Sequence, residues 1–165
     1  MTEKVLIVDD EANILSAASR ILRGNFEIHT AQGGRKALLD LEDNGPFAVI
    51  GSDMRMPGMD GGQLLNGFSR LAPDTVRIMI TGCTDRQTAI DAVNKGNIFR
   101  FLTKPCPDDA LKNAIEEGLE QYILVTGKTA AYGQSLENLM SVEERLQEQQ
   151  NLIDKLSDAL FVLDA

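Results

Sequence analysis

A chain of 165 residues with 43% apolar and 25% charged side chains has room for one ordinary domain plus an appendage, and its core needs no disulfide support. The net charge of −9 is shared along the chain, with seven acidic and three basic residues among residues 126–165, so neither part offers the basic patch that nucleic-acid binding requires. No signal peptide opens the sequence and no apolar run approaches the roughly 20 residues of a membrane helix; with Cys83 and Cys106 read as reduced thiols, a cytoplasmic protein with no nucleic-acid or membrane partner is expected.

The first apolar run, Lys4-Val5-Leu6-Ile7-Val8, reads as a buried parallel strand and ends at Asp9-Asp10. Ile14, Ala17, Ala18, Ile21 and Leu22 then share one helical face, and Gly24 supplies the stop. Residues 26–30 read as a second strand and 35–42 as a second helix, before Asn44-Gly45-Pro46. A third apolar run over 47–52 delivers Asp53, and a Pro57-Gly58 turn leads into a helix over 61–71. Residues 76–80 form the fourth strand and reach Thr81; a helix over 86–95 follows, closed by Gly96-Asn97. The fifth strand covers 99–103, ahead of Lys104-Pro105, and a last helix starts after Pro107. Such alternation with short connections calls for a parallel sheet with helices on both faces. In an open α/β sheet the ligand crevice lies beyond the carboxyl ends of the strands. If the first and third strands are neighbours, three carboxylates meet there and need a hard divalent cation, and a hydroxyl and an ammonium beside them complete a site for a phosphoryl group.

From residue 132 the pattern changes to a seven-residue repeat. Tyr132, Leu139, Leu146, Ile153 and Leu160 occupy one position, and Ser135, Val142, Gln149, Leu156 and Leu163 the other. Apolar residues dominate both, as in a coiled-coil seam. The other possibility, one amphipathic helix folding back on the domain, meets a length problem: 32 residues of helix span roughly 48 Å. Gly127 and Gly133 interrupt the approach, each costing about 1 kcal/mol within a helix, so a hinge is expected there. The segment 156–164 resembles the opening of a PAS sensory domain, which would make this chain the front part of a longer protein.

Taken together and in order, Asp9-Asp10, Asp53 within Ser-Asp-Met-Arg-Met-Pro-Gly-Met-Asp-Gly, Ile-Thr-Gly, and Phe-Arg-Phe-Leu-Thr-Lys-Pro resemble the receiver domain of bacterial two-component response regulators, over about residues 3–124. The resemblance implies a flavodoxin-like α/β fold, five parallel strands in order 2-1-3-4-5, with the receiver at 1–124; the repeat and the glycines add a hinge or helical linker at 125–133 and a coiled-coil signalling helix at 134–165. It implies phosphorylation of Asp53 by a histidine kinase or phosphotransfer protein. Mg²⁺ would be held by Asp9, Asp10, Asp53 and the backbone carbonyl of Arg55, with Asp10 the more direct ligand and Asp9 acting through water. Thr81 and Lys104 would hold phosphoryl oxygens, Phe101 would be the aromatic switch, and Lys104–Pro105 would be a cis peptide. The surface of the 86–95 helix, the fifth strand and the last helix would then change, and the coiled coil would make a homodimer.

Two departures stand out. Arg55 occupies a position where many relatives carry a small polar residue, and Cys83 lies two residues after Thr81, so the resemblance gives no lifetime for the phosphorylated state. Met54, Met56 and Met59 read as gap-filling thioethers and His29 as structural. The only chemistry expected is self-phosphorylation and self-dephosphorylation. Two alternatives are a metal-dependent phosphatase with an aspartyl nucleophile and a mainly structural dimerisation module. The former family places two Asp one residue apart after the first strand, whereas here they are adjacent. The latter leaves the full Asp-Asp-Thr-Lys set without a purpose. The Phe99 to Pro105 run and the extended last helix are similar to regulators coupled to cyclic-dinucleotide enzymes.

Overall fold

The computed structural model describes residues 3–82, 87, 90–91 and 97–163, with backbone alone for 128–136 and 161–163. Cys83, Gly96 and most of the helix expected over 86–95 lie outside the described residues. The chain divides into two units, Met1–Val125 and Thr126–Ala165.

In the first unit, strands β1 (Lys4–Asp9), β2 (Glu27–Gln32), β3 (Val49–Asp53), β4 (Val76–Gly82) and β5 (Arg100–Lys104) form one parallel sheet in the order β2-β1-β3-β4-β5. Helices α1 (Ala12–Leu22), α2 (Gly34–Asn44) and α3 (Gly61–Leu71) connect them, and α4 (Asp108–Leu163) follows β5. The expected sheet order holds, and each described element lies within a few residues of its sequence position.

Side chains alternate across the sheet, and the apolar runs fill both faces. Leu6, Val8 and Ile50 point into a cluster with Leu64, Leu65 and Phe68 of α3, while Val5, Ile7 and Val49 meet Leu15, Ala18 and Leu22 of α1 and Leu111 and Ile115 of α4. Each fully buried side chain of this size contributes about 1.5–3 kcal/mol relative to exposure. These contacts hold the helices, and with them the loops at the carboxyl ends of the strands.

The face of α1 is turned from the one read in the sequence. Leu15, Ala18 and Leu22 are the residues that reach full burial, whereas Ile14 and Ile21 are half-buried at the side. Ile14, Ala17 and Ile21 instead line a cavity of about 280 Å³ whose other wall includes Pro105, Cys106 and Leu111 at the start of α4. Gly24 does follow the helix with φ of 98°, a left-handed value that glycine tolerates. Strand β2 starts at Glu27 and runs on to Gln32, because Phe26 is spent on a bridge to Arg23 and on packing beside α1.

The β3–α3 loop is held at both ends. Asp60 accepts from the Gln63 backbone N–H at 2.8 Å, and the Gln63 side chain accepts from the Asp60 N–H at 3.1 Å, a complete capping box. Gly61 donates to the Met54 carbonyl at 2.8 Å, and a Cβ at Gly61 would collide with the Asp53 carbonyl oxygen. Only glycine lets the helix start this close to the end of β3.

In the second unit α4 is helical from Thr126 to Leu163, including the backbone at Gly127 and Gly133. Leu139, Val142, Leu146, Ile153, Leu156 and Leu160 are 44–64% exposed along it. Among the described residues, no helix is long and apolar enough to cross a membrane.

Candidate functional site

The strand register assembles the site. Val5 and Ile7 face α1, so Asp9 leaves β1 on that side; the same alternation puts Asp53 after Gly51 and Lys104 after Leu102 on it. Lys104 Nζ lies 2.9 Å from Asp9 Oδ2 and 3.3 Å from Asp53 Oδ1, joining the ends of three strands. Asp9, 3% exposed, is also engaged through Oδ1, which accepts the Glu11 backbone N–H at 2.9 Å. Glu11 is the residue before the first turn of α1, and no side chain caps that helix.

Carboxylate oxygens of Asp9, Asp10 and Asp53 lie within 4.8 Å of one another. Among the described residues no hydrogen bond or ion pair reaches the Asp10 carboxylate, which leaves it available to a cation. Oxygens around Mg²⁺ at about 2.0–2.1 Å sit some 3–4 Å apart, so small side-chain rotations bring this all-oxygen set into range. The residues fit the ion. Arg55 donates its backbone N–H to the Asp53 carboxylate, placing the backbone that carries the expected carbonyl ligand beside the cluster.

Burial pushes the Asp53 carboxyl above its ordinary pKa; Lys104 pulls it down and Asp9 pushes it further up, with a net rise. For Lys104, burial opposes the charge, but Asp9 and Asp53 outweigh it and raise the ammonium pKa. The sign for Asp53 gives a test. A raised folded value means that ionised Asp53 weakens the fold: its stabilising contribution is whole below 3.8 and lost as pH rises through the folded value. Without metal, Asp53→Asn is therefore expected to melt above the parent chain at neutral pH, with the gap closing near pH 3. Parallel thermal melts in chelator check this, and a lower melting temperature for the variant at pH 7 contradicts the account.

The remaining expected residues sit close by but apart from that contact. Thr81 lies one residue beyond Ile80, the register partner of Asp53, and its hydroxyl donates to the Gly82 carbonyl at 3.3 Å. Phe101 pairs in register with Met79 and packs half-buried against the α2–α3 side of the core. Because Thr81 pairs with Thr103, Thr81 and Phe101 project from the same face of the sheet. Lys104–Pro105 is cis, and so is Gly45–Pro46, which the sequence reading did not anticipate.

Gln32 was also missed. Its side-chain amide donates to the Asp10 carbonyl at 2.9 Å, and the neighbouring Gly33 N–H donates to the Asp9 carbonyl at 3.2 Å, so the end of β2 braces the acidic loop. The signal was the pairing of Asp9 with Gln32, visible only once β2 is extended to that residue.

Comparison with known proteins matches residues 5–116 to the family described as response regulator receiver domain. The hydrogenase transcriptional regulatory protein HoxA of Bradyrhizobium diazoefficiens is 32% identical over 73% of this chain and 24% of its own length. The chain spans about a quarter of the length of the curated relatives it matches first. Among solved structures, one described as adenylate cyclase from Rhodopirellula baltica is 42% identical, covering 80% of this chain and 98% of that one with a TM-score of 0.76. A response regulator receiver domain protein from Clostridium thermocellum is 30% identical over 74% and 98%, with a TM-score of 0.69.

Proposed function

The chain belongs to the response regulator receiver domain family, and on that premise we propose that Asp53 is the residue that takes the phosphoryl group, from a histidine kinase or phosphotransfer protein. The observation that carries the assignment is the position of Asp53 at the end of β3, between the Lys104 ammonium and an Asp10 carboxylate that no other side chain engages among the described residues. An Asp53 oxygen forms the new bond to phosphorus as the donor's bond to phosphorus breaks, the donor leaving with that electron pair. Lys104, already held by two carboxylates, is placed to pair with a phosphoryl oxygen. Thr81 is at hand to donate a hydrogen bond from its hydroxyl to another in place of the weak bond to Gly82, and the shared face would pass that movement to Phe101.

Mg²⁺ held by Asp10, Asp53 and the Arg55 carbonyl, with Asp9 behind, would supply the positive charge that lets carboxylates and a phosphoryl group share the site. The chain's own chemistry is confined to gaining and losing that group, in the cytoplasm with the kinase, and its exposed tail seam supports a homodimer as the form in which the switch is read. The intact chain is expected to gain the mass of one phosphoryl group from acetyl phosphate with Mg²⁺ and none in chelator. Asp10→Asn should need at least tenfold more Mg²⁺ for the same rate, since it removes a charged ligand worth about 1.4 kcal/mol or more. Labelling that proceeds unchanged in chelator overturns the metal assignment.

A further inference from the structure

A polar groove of about 490 Å³ runs between α1 and α2, on the far side of β1 from Lys104. Arg20 and Arg23 line it from the end of α1, Lys36 from the first turn of α2, and Ser16, Ser19 and Thr30 add hydroxyls; among the described residues no acidic side chain is among its walls. Among the described residues none of the three cations makes an ion pair. In a chain of net charge −9 this is an uneven distribution. One part has a plain structural role: Arg20 sits in the last turn of α1, where a cation complements the helix dipole. That role requires neither Lys36 across the groove nor the absence of acids from its described walls.

We propose that this groove binds a small polyphosphate-bearing anion, with Arg20, Arg23 and Lys36 as the charged contacts and the hydroxyls of Ser16, Ser19 and Thr30 as neutral donors. The volume lies in the range of small-molecule sites, about 300–1,000 Å³. Two guanidinium forks and an ammonium suit phosphate oxygens, the forks by bidentate contact and the lysine as a point charge. The site also has a line to the acidic loop. Gln32 is part of the groove wall, and it is the residue whose amide holds the Asp10 carbonyl. An anion drawn to the three cations therefore bears on the hydrogen bond that positions Asp10. Binding in the groove does not depend on Asp53 being the phosphoacceptor, and the test below reads it separately.

The experiment is an NMR titration of the isotopically labelled full chain in chelator, with pyrophosphate in one arm and ATP in the other. Saturable amide shifts at Ser16, Ser19 and Thr30 are expected in both arms. ATP binding more tightly would identify a nucleotide as the source of the phosphates, and equal affinity an inorganic polyphosphate. Arg23→Gln should weaken binding about tenfold, the effect of losing one charge-assisted contact. Replacing Arg20, Arg23 and Lys36 together by Gln should abolish it, with folding checked by thermal melts. The Glu11 amide, which belongs to the peptide group of the Asp10 carbonyl, should shift with the ligand in the parent chain and stay still in Gln32→Leu while the groove shifts persist. No shift up to about 10 mM, the millimolar limit of weak binding, overturns the site. So do shifts confined to the surroundings of Asp53 and Lys104, or shifts that survive in the triple variant. A Glu11 amide that does not move in the parent chain overturns the link to Asp10.

Discussion

Asp53→Asn is expected to lose phosphate uptake from acetyl phosphate by more than about 10³-fold, over 4 kcal/mol of barrier. An amide oxygen is a poor nucleophile towards phosphorus, and neither neighbouring carboxylate can take over. Asp9 is buried, with one oxygen on Lys104 and the other on the Glu11 N–H. Asp10 lacks a contact with Lys104, and its proposed task is to hold the cation rather than attack beside it. Mass spectrometry of intact parent and variant chains, after the same exposure to acetyl phosphate and Mg²⁺, measures the difference. A shift that survives in Asp53→Asn means that the acceptor is another residue.

Most of this site was legible in the sequence because its parts sit at strand ends, and strand ends are marked by where apolar runs stop. Val8 gives way to Asp9, Ser52 to Asp53 and Thr103 to Lys104, so three of the four clustered side chains come directly from that boundary. The residues that escaped notice make their contact through side chains or backbone groups with no apolar pattern to announce them. Gln32 is one, since nothing in Ala31-Gln32-Gly33 tells a strand end from a loop. The turn of α1 onto Leu15 escaped for a different reason: periodicity gives the width of an apolar face but not which row meets the sheet when a second helix lies alongside. The capping box at Asp60 and Gln63 could have been read, because an Asp three residues before a Gln at a helix start is a local signature.

The second large effect is expected in the tail. The full chain should be a dimer at tens of micromolar, and a chain ending at residue 126 a monomer. Six seam residues are about half exposed in the single chain. Burying the rest of each contributes about 1 kcal/mol, or roughly 12 kcal/mol for two chains. Association costs about 4–15 kcal/mol, so the seam supports a dimer of moderate affinity rather than a permanent one. Gln149 within it weakens the pairing while favouring one register. Replacing Leu146 and Ile153 by Glu puts four carboxylates into that interface and should leave a monomer. Light scattering on the full chain, the shortened chain and the double variant distinguishes these outcomes. A monomeric full chain at that concentration removes both the dimer and any switching that depends on it.

The Lys104 ammonium and the Asp9 carboxylate it holds are 95 positions apart in the chain. During synthesis, therefore, the acidic pair on β1 and β3 emerges from the ribosome long before the cation that reconciles it. A nascent chain stopped short of Lys104 carries Asp9 and Asp53 but not the complete cluster. The cluster of Asp9, Asp53 and Lys104 is complete only once the last strand has been made.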